Sequence, residues 1–178
     1  MGYVIILPAM KHTLLLLGLL LTACSTTVTV DLPNQTLDLP GLADSGGQTI
    51  YRKDGLSFNP PPVDVIRGVR VEGVLEASQP LNLTLEFYAR TQDPQRDSSC
   101  QALPSLPLYL CPVGPEDEKV GEARFQNGRE TPLTLQGAKL TQGVRAGKFW
   151  LGAKASGLPS TPIKLTFRNM KAYVTLGL

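Results

Sequence analysis

The sequence predicts an all-β protein, an antiparallel β-sandwich of roughly eight to ten strands, with a small β-barrel as the alternative. Apolar and polar residues alternate along several segments, which is the period of a strand with one dry face. Glycine and proline together supply 32 of the 178 residues, enough for many turns. No segment keeps a helical apolar period over three turns, so we expect strands joined by short connections.

The first strands are predicted in a region of mixed character. Residues 27–32 alternate and would form an edge strand, and another strand is expected near Ile50. Small polar residues and three consecutive prolines interrupt the same region, which is typical of a linker. We therefore expect residues 24–62 to be a tether with a possible edge strand, and residues 63–178 to be the β-sandwich domain.

The clearest alternation covers two neighbouring segments, residues 69–77 and residues 81–89. The odd positions are apolar or small in both segments, and Ser78, Gln79 and Pro80 separate them. Matched alternation across a three-residue break predicts a β-hairpin within one sheet.

More strands are predicted towards the C-terminus. Residues 106–111, 120–125 and 149–155 each form a short apolar or alternating segment, and Asn127 and Gly128 follow the second one as a turn signal.

The last alternating segment covers residues 163–176, and its phase slips by one residue at Asn169. Such a slip predicts either a β-bulge in one long strand or a tight turn between two strands. The sequence leaves both possibilities open.

An apolar run at residues 13–20 leads into residues 21–24, Leu-Thr-Ala-Cys. The run is too short to span a bilayer, which takes about 20 residues, but it fits the apolar part of a signal peptide after the basic Lys11. The four residues resemble the bacterial lipobox, a leucine, a small residue, alanine or glycine, and then cysteine. The resemblance implies a signal peptide at residues 1–23, cleavage before Cys24, and lipid attached to that cysteine.

The same resemblance implies a location in the bacterial cell envelope, with the lipid anchor on the outer side of the cytoplasmic membrane or on the outer membrane. Two alternatives stay open: cleavage by a general signal peptidase without lipid, and an ordinary buried helix that ends in cysteine. We expect the natural start at Met10, with Met1 as the alternative, because Met10 and Lys11 stand directly in front of the apolar run.

The remaining cysteines, Cys100 and Cys111, form an even pair in a compartment expected to be oxidising. We expect a structural disulfide between them. The alternatives are two free buried thiols or a redox pair, for which the ten-residue gap is unsuitable.

Residue inventory limits the chemistry of the mature chain. Its only histidine, His12, lies in the predicted signal peptide. Ser-His-Asp and Cys-His catalysis and histidine-ligated metal sites are therefore excluded. The run Glu116-Asp117-Glu118 lacks the spaced oxygen ligands of a calcium loop and is interpreted as a solvated turn. We predict no catalytic residue, no metal site and no cofactor.

Charge is distributed unevenly along the mature chain. Residues 24–118 hold 6 basic and 13 acidic residues, whereas residues 119–178 hold 10 basic and 2 acidic ones. Strand phase then points a set of basic and aromatic residues outward, and we interpret it as an anion-binding face: Lys148, Trp150, Lys154, Lys164, Arg168, Lys171 and Tyr173. The alternatives are that the two halves neutralise each other and that Trp150 belongs to the core.

These observations together predict a membrane-anchored envelope lipoprotein that is not an enzyme. Its β-domain would bind an anionic envelope component, such as an acidic polysaccharide or a lipid headgroup, or a protein partner; nucleic acid is not expected. The alternative is a surface hydrolase that works with carboxylates alone. A cleft with two carboxylates would favour the hydrolase, and a flat basic and aromatic face would favour the binding protein.

Overall fold

The computed structural model describes residues 25–39, 45–57, 59, 65–104, 106–155, 157 and 160–177. The predicted signal peptide and the predicted lipid-bearing Cys24 lie outside the described residues. None of the helices in the described part of the chain is long and apolar enough to cross a membrane.

Twelve β-strands in these ranges form two antiparallel sheets. Sheet A consists of β1 (Ser25–Asp31), β2 (Gln35–Leu39), β5 (Ile66–Leu81), β10 (Gly128–Gln136) and β12 (Ile163–Gly177). Sheet B consists of β3 (Thr49–Arg52), β4 (Leu56–Ser57), β6 (Thr84–Arg90), β7 (Gln101–Ala102), β8 (Leu108–Cys111), β9 (Glu118–Arg124) and β11 (Lys148–Ala155).

The strand order makes each sheet a continuous layer. In sheet A, β5 lies between β10 and β12, and β1 and β2 follow one another along the other edge of β12. In sheet B the order is β7-β8-β3-β11-β6-β9, with β4 paired to β11. This is the predicted sandwich rather than the small barrel. The strand number exceeds the prediction because β4 and β7 have two residues each, too few to show an alternation.

One apolar core lies between the sheets, and the predicted alternation places its members. Leu75 and Leu165 of sheet A and Leu85 and Phe87 of sheet B are at most 1% exposed. The rings of Phe87 and Phe167 bridge the two layers edge to face, with centroids 6.0 Å apart. Burial of each such side chain stabilises the fold by about 1.5–3 kcal/mol, so the sandwich is held together chiefly across this layer.

The predicted hairpin of residues 69–77 and 81–89 is wrong. β5 pairs with β10 and β12, whereas β6 pairs with β9 and β11, so the two strands belong to different sheets. β5 continues through Ser78, Gln79 and Pro80, and the chain crosses the core where those residues end. Both strands keep an apolar face towards the core in either arrangement, so alternation alone does not distinguish a hairpin from a crossing between layers.

The phase slip in the last segment is a β-bulge, because β12 continues as one strand on both sides of it. Its register with β5 shifts at this point. Asn169 has φ of 51°, in the left-handed region that asparagine tolerates better than most residues. Arg168 and Asn169 are exposed and Met170 is buried, so the bulge changes the strand phase and turns Met170 inward.

A short helix, α1 (Ala138–Ala146), connects β10 to β11 and was not predicted. At nine residues it is shorter than the three turns that a sequence pattern needs for recognition. Its first N–H groups are capped from a distant strand: the Glu118 carboxylate accepts hydrogen bonds from the backbone of Ala138, at 3.0 Å, and of Lys139. Gly147 ends the helix with φ of 73°.

Gly73 on β5 lies opposite the bulge, and here the backbones approach too closely for a side chain. A Cβ atom at this position would lie 2.8 Å from the carbonyl oxygen of Arg168 and would overlap Met170. Gly68, on the same strand, has open space instead: its Cβ would lie 4.0 Å from Thr175.

We predict that Gly73→Ala lowers the free energy of unfolding by about 1–3 kcal/mol, because the added methyl group forces the bulge away from β5. Urea unfolding followed by circular dichroism measures the change. Gly68→Ala is the matched control and should stay within about 0.5 kcal/mol of the parent. Equal effects of the two substitutions would show that the close approach at Gly73 is not a constraint.

Candidate functional site

The residues of the predicted anion-binding face do not share one surface. Lys148, Trp150 and Lys154 lie on β11 in sheet B, whereas the other four, Lys164, Arg168, Lys171 and Tyr173, lie on β12 in sheet A. The outer faces of two packed sheets point in opposite directions. The seven residues are therefore divided between the two sides of the sandwich.

Two members of this set, Arg168 and Lys154, are each paired with an acid from the first half of the chain. Arg168 lies 2.8 Å from Glu76 and 3.6 Å from Glu130, and the bond to Glu76 raises the pKa of Arg168. Lys154 lies 3.7 Å from Glu86. The ring of Tyr173 lies under the guanidinium of Arg70, 4.9 Å from its centroid.

Lys148, Lys164 and Lys171 are exposed. Lys148 lies over the Trp150 ring at 4.8 Å, and the register places Lys171 between Asp31 and Glu72 on the neighbouring strands. Arg168 and Lys154 are thus neutralised by acids on other strands, which is the alternative noted from the sequence, and do not form part of an open basic face.

Trp150 points to the outer side of sheet B, as its phase predicts, but it is not available at the surface. It is 5% exposed and packs in a second cluster with Tyr51, Tyr88, Tyr109 and Cys111. Its indole Nε1 donates to the carbonyl oxygen of Lys53 at 3.3 Å. The chain after β3 therefore covers the ring.

The centre of this outer cluster is a buried arginine, Arg90, whose side chain is 1% exposed. Its Nε donates to Asp117 Oδ1 at 3.0 Å, and its Nη2 donates to Asp97 Oδ2 at 3.1 Å and to Asp117 Oδ2 at 3.3 Å. The guanidinium also lies 5.0 Å from the centroid of the Tyr51 ring. Tyr51 in turn donates its hydroxyl proton to Asp117 Oδ1 at 2.5 Å. We call these four residues the Arg90 network.

Cys100 and Cys111 lie at disulfide-bonding distance, with sulfur atoms 2.04 Å apart, as the sequence predicted. The pair belongs to the same cluster, because Nη1 of Arg90 lies 3.2 Å from the sulfur of Cys100 and 3.7 Å from that of Cys111. The bridge and the Arg90 network therefore hold the two segments that connect β6 to β8 and β8 to β9.

The interpretation of Glu116-Asp117-Glu118 as a solvated turn is wrong. The Asp117 side chain is fully buried against Arg90, Glu118 caps α1, and Glu116 pairs with Lys139 at 3.3 Å. The sequence carried no signal for this, because Arg90 occupies an ordinary outward position of its strand. Within the described ranges, no group of three histidine, cysteine or acidic residues could hold a metal ion.

Burial and hydrogen bonding shift the pKa values of two residues of the Arg90 network, Tyr51 and Asp97. Burial and the hydrogen bond to Asp117 raise the pKa of Tyr51 well above its usual value near 10. Hydrogen bonds from Ser99, supported by Arg90, lower the pKa of Asp97. Asp97 and Asp117 both accept hydrogen bonds from one arginine, an arrangement suited to structure rather than to proton transfer.

A separate feature, which the sequence did not indicate, is a cavity of about 180 Å³ between the two sheets. A water molecule needs roughly 10–15 Å³ on the same measure. Contacts between β9 and β10 close the sandwich on one side, and the intersheet cavity opens on the other. Its mouth is lined by exposed residues, among them Leu32 between β1 and β2, Gln35 on β2, Arg52 at the end of β3 and Asp54 just after it.

The interior of the intersheet cavity is apolar. Ile50, Phe87 and Ala153 line the wall formed by sheet B, and Val71 and Met170 line the wall formed by sheet A. Trp150 is the one member of the predicted anion-binding face that lines it. Such a cavity can shield an apolar ligand from water but offers its interior no acid, base or nucleophile.

We predict that Tyr51 makes the protein sensitive to alkali. The pKa of Tyr51 is higher in the folded than in the unfolded protein. The contribution of the protonated hydroxyl to the free energy of unfolding is therefore fully present below pH 10 and is lost as the pH rises further. The free energy of unfolding should fall above pH 10 by up to about 1.4 kcal/mol per pH unit for this proton. Tyr51→Phe should reduce that slope.

Urea unfolding between pH 8.5 and 11 measures the slope, and Tyr88 contributes part of it because burial also raises the pKa of Tyr88. Tyr173→Phe, on the other sheet, is the matched control and should follow the parent. A Tyr51→Phe variant with the full parental slope would contradict the assignment.

Comparison with protein families, with characterised proteins and with solved structures finds no match to this chain. Two features of the described residues bear on function: the Arg90 network, whose charged groups are paired with one another, and the intersheet cavity, which is apolar and open at one side.

Proposed function

We propose that this protein is a lipid-anchored component of a bacterial cell envelope whose β-sandwich is a non-catalytic binding domain. The observation that supports it best is the intersheet cavity, an apolar space with charged residues only at its mouth. The cavity would bind an envelope component that has an apolar part. Among the anionic partners expected from the sequence, lipids fit this requirement best.

The hydrolase alternative finds less support. Glycoside hydrolysis with two carboxylates needs one that accepts a proton and one that donates it, on opposite sides of the scissile bond. The two carboxylates of the Arg90 network, Asp97 and Asp117, both face the same guanidinium. Among the described residues that line the cavity, Asp54 is the only acid.

The anchor that we propose would hold the domain close to the membrane. Ser25, the residue after Cys24, is paired in register with Gly177 at the end of sheet A. A lipid on Cys24 would leave no free linker between membrane and sheet. The exposed Arg67 packs on Gly177, and Arg145 donates to the carbonyl oxygen of Ile66 at 2.6 Å. These two arginines would face the lipid headgroups.

An acidic polysaccharide or an envelope protein is the remaining partner proposed from the sequence. The exposed Lys164 and Lys171 on the outer face of sheet A are the residues that would contact it. This proposal has less support than the cavity, because the intended face is divided between the two sheets.

The test of the anchor is metabolic labelling with an alkyne-bearing fatty acid in a bacterium that expresses the full chain. We expect the label on the parent and none on Cys24→Ala, which should accumulate as unprocessed precursor. The double variant Cys100→Ala, Cys111→Ala is the matched control, since it removes two cysteines but keeps the proposed acceptor, and it should label like the parent. An unlabelled parent with a free N-terminus would contradict the anchor.

A further inference from the structure

The residues that line the intersheet cavity follow one another across the strands rather than along a single strand. Its lining includes one residue from each successive strand of sheet A: Leu37 on β2, Met170 on β12, Val71 on β5 and Leu135 on β10. Neighbouring strands lie about 4.8 Å apart, so three such steps give the cavity a depth of roughly 14 Å. A volume of about 180 Å³ spread over that depth fits a single unbranched chain.

The opposite wall has the same arrangement. Ile50 on β3, Ala153 on β11 and Phe87 on β6 come from three successive strands of sheet B. Every one of these side chains is apolar, and so are the four of sheet A. An occupant that extends from the mouth to Leu135 would therefore have to be apolar along its whole length.

The mouth of the cavity has a different chemistry from its interior. Arg52 and Asp54 are exposed and line the opening together with Gln35. An exposed guanidinium binds a carboxylate or a phosphate with paired hydrogen bonds. An occupant with an apolar tail and an anionic head thus matches both parts of the site.

We propose that the intersheet cavity binds one acyl chain of a lipid whose anionic head group lies at Arg52. The proposal rests on the binding role proposed above but not on the anchor. Free fatty acids and phospholipids share this chemistry, and Asp54 distinguishes them. A phosphoethanolamine head would place its ammonium group near Asp54, whereas a fatty acid has no cation to offer.

The protein contains its own reporter in Trp150, its only tryptophan. The Trp150 ring packs on the outer side of β11, and the residue is also among those that line the cavity. The probe is 9,10-dibromostearate, whose bromine atoms quench indole fluorescence at short range. The protein is the mature chain with Cys24→Ser, which keeps every described residue and removes any acyl chain of its own. We expect quenching that saturates at one probe per protein and is reversed by unbrominated stearate. No quenching, or quenching that stearate does not reverse, would overturn the proposal.

Ala153→Leu fills the cavity, and Ala123→Leu is the matched control. Ala123 is a core alanine of sheet B, 1% exposed and packed in the same core. If the cavity is an open space, Ala153→Leu keeps or raises the melting temperature, whereas Ala123→Leu lowers it because a packed core rejects the added atoms. Affinity for the probe should fall about fourfold for each methylene group that the leucine excludes. An Ala153→Leu variant that binds like the parent would overturn the proposal.

Two variants at the mouth keep the test independent of core packing. Arg52→Glu should weaken stearate by about two- to fivefold or more, since an exposed ion pair contributes little and reversal adds repulsion. Arg124→Glu, an exposed change on β9 away from the cavity, should leave binding unchanged. If the natural ligand is a phospholipid, Asp54→Asn should weaken the binding of lysophosphatidylethanolamine but not that of stearate. If the natural ligand is a fatty acid, Asp54→Asn should weaken the binding of neither lipid. Equal binding of stearate by the parent and by Arg52→Glu would overturn the placement of the head group.

Failure of this proposal and failure of the anchor are distinguishable. The Cys24→Ser chain can bind or reject dibromostearate whatever the labelling of Cys24 shows, and labelling is unaffected by Ala153→Leu.

Discussion

The buried guanidinium of Arg90 is the interaction on which sheet B depends. It joins the end of β6 to the segment before β7, through Asp97, and to the segment before β9, through Asp117, with the disulfide against its remaining nitrogen. Removing one partner of a buried ion pair costs about 3–5 kcal/mol, because the other charge stays behind without water. Arg90 is paired with acids from two different segments. The network can therefore form only when the segment before β7 and the segment before β9 are both in place.

This network also determines the position of a cavity wall. Along β3, Tyr51 points outward to Asp117, while its neighbours Ile50 and Arg52 line the intersheet cavity. Gly152 on β11 admits the Tyr51 ring, because a Cβ there would lie 2.7 Å from its Cδ1 atom. Packing on the outer face of sheet B therefore fixes the positions of β3 and β11, and the inner face of these two strands would contact the ligand. A wall held in this way loses little conformational freedom on binding, which favours affinity.

The sequence predicted the structure well where the two-residue alternation of a strand determines which of its faces is buried. Alternation placed the core and located the phase slip at Asn169, since only one face of each strand can be apolar and buried; whether the slip is a bulge or a turn depended on the register with β5. It could not distinguish a hairpin from a crossing between the sheets, because β5 and β6 present the same face to the core in both. Burial of Trp150 and Asp117 depends on segments that cover the outer face, and the cavity depends on space that neighbouring side chains leave unfilled. Neither has a local sequence pattern.

We propose that the cavity between the sheets is a site for one acyl chain. Native mass spectrometry of the Cys24→Ser chain, purified without detergent from bacterial cells, tests it most directly. We expect a population of the protein that carries one additional mass, matching a single fatty acid or single-chain phospholipid. Ala153→Leu prepared in parallel should lack this population. Ligand-free parent protein that also takes up no added stearate, or an equal adduct on the filled variant, would contradict it.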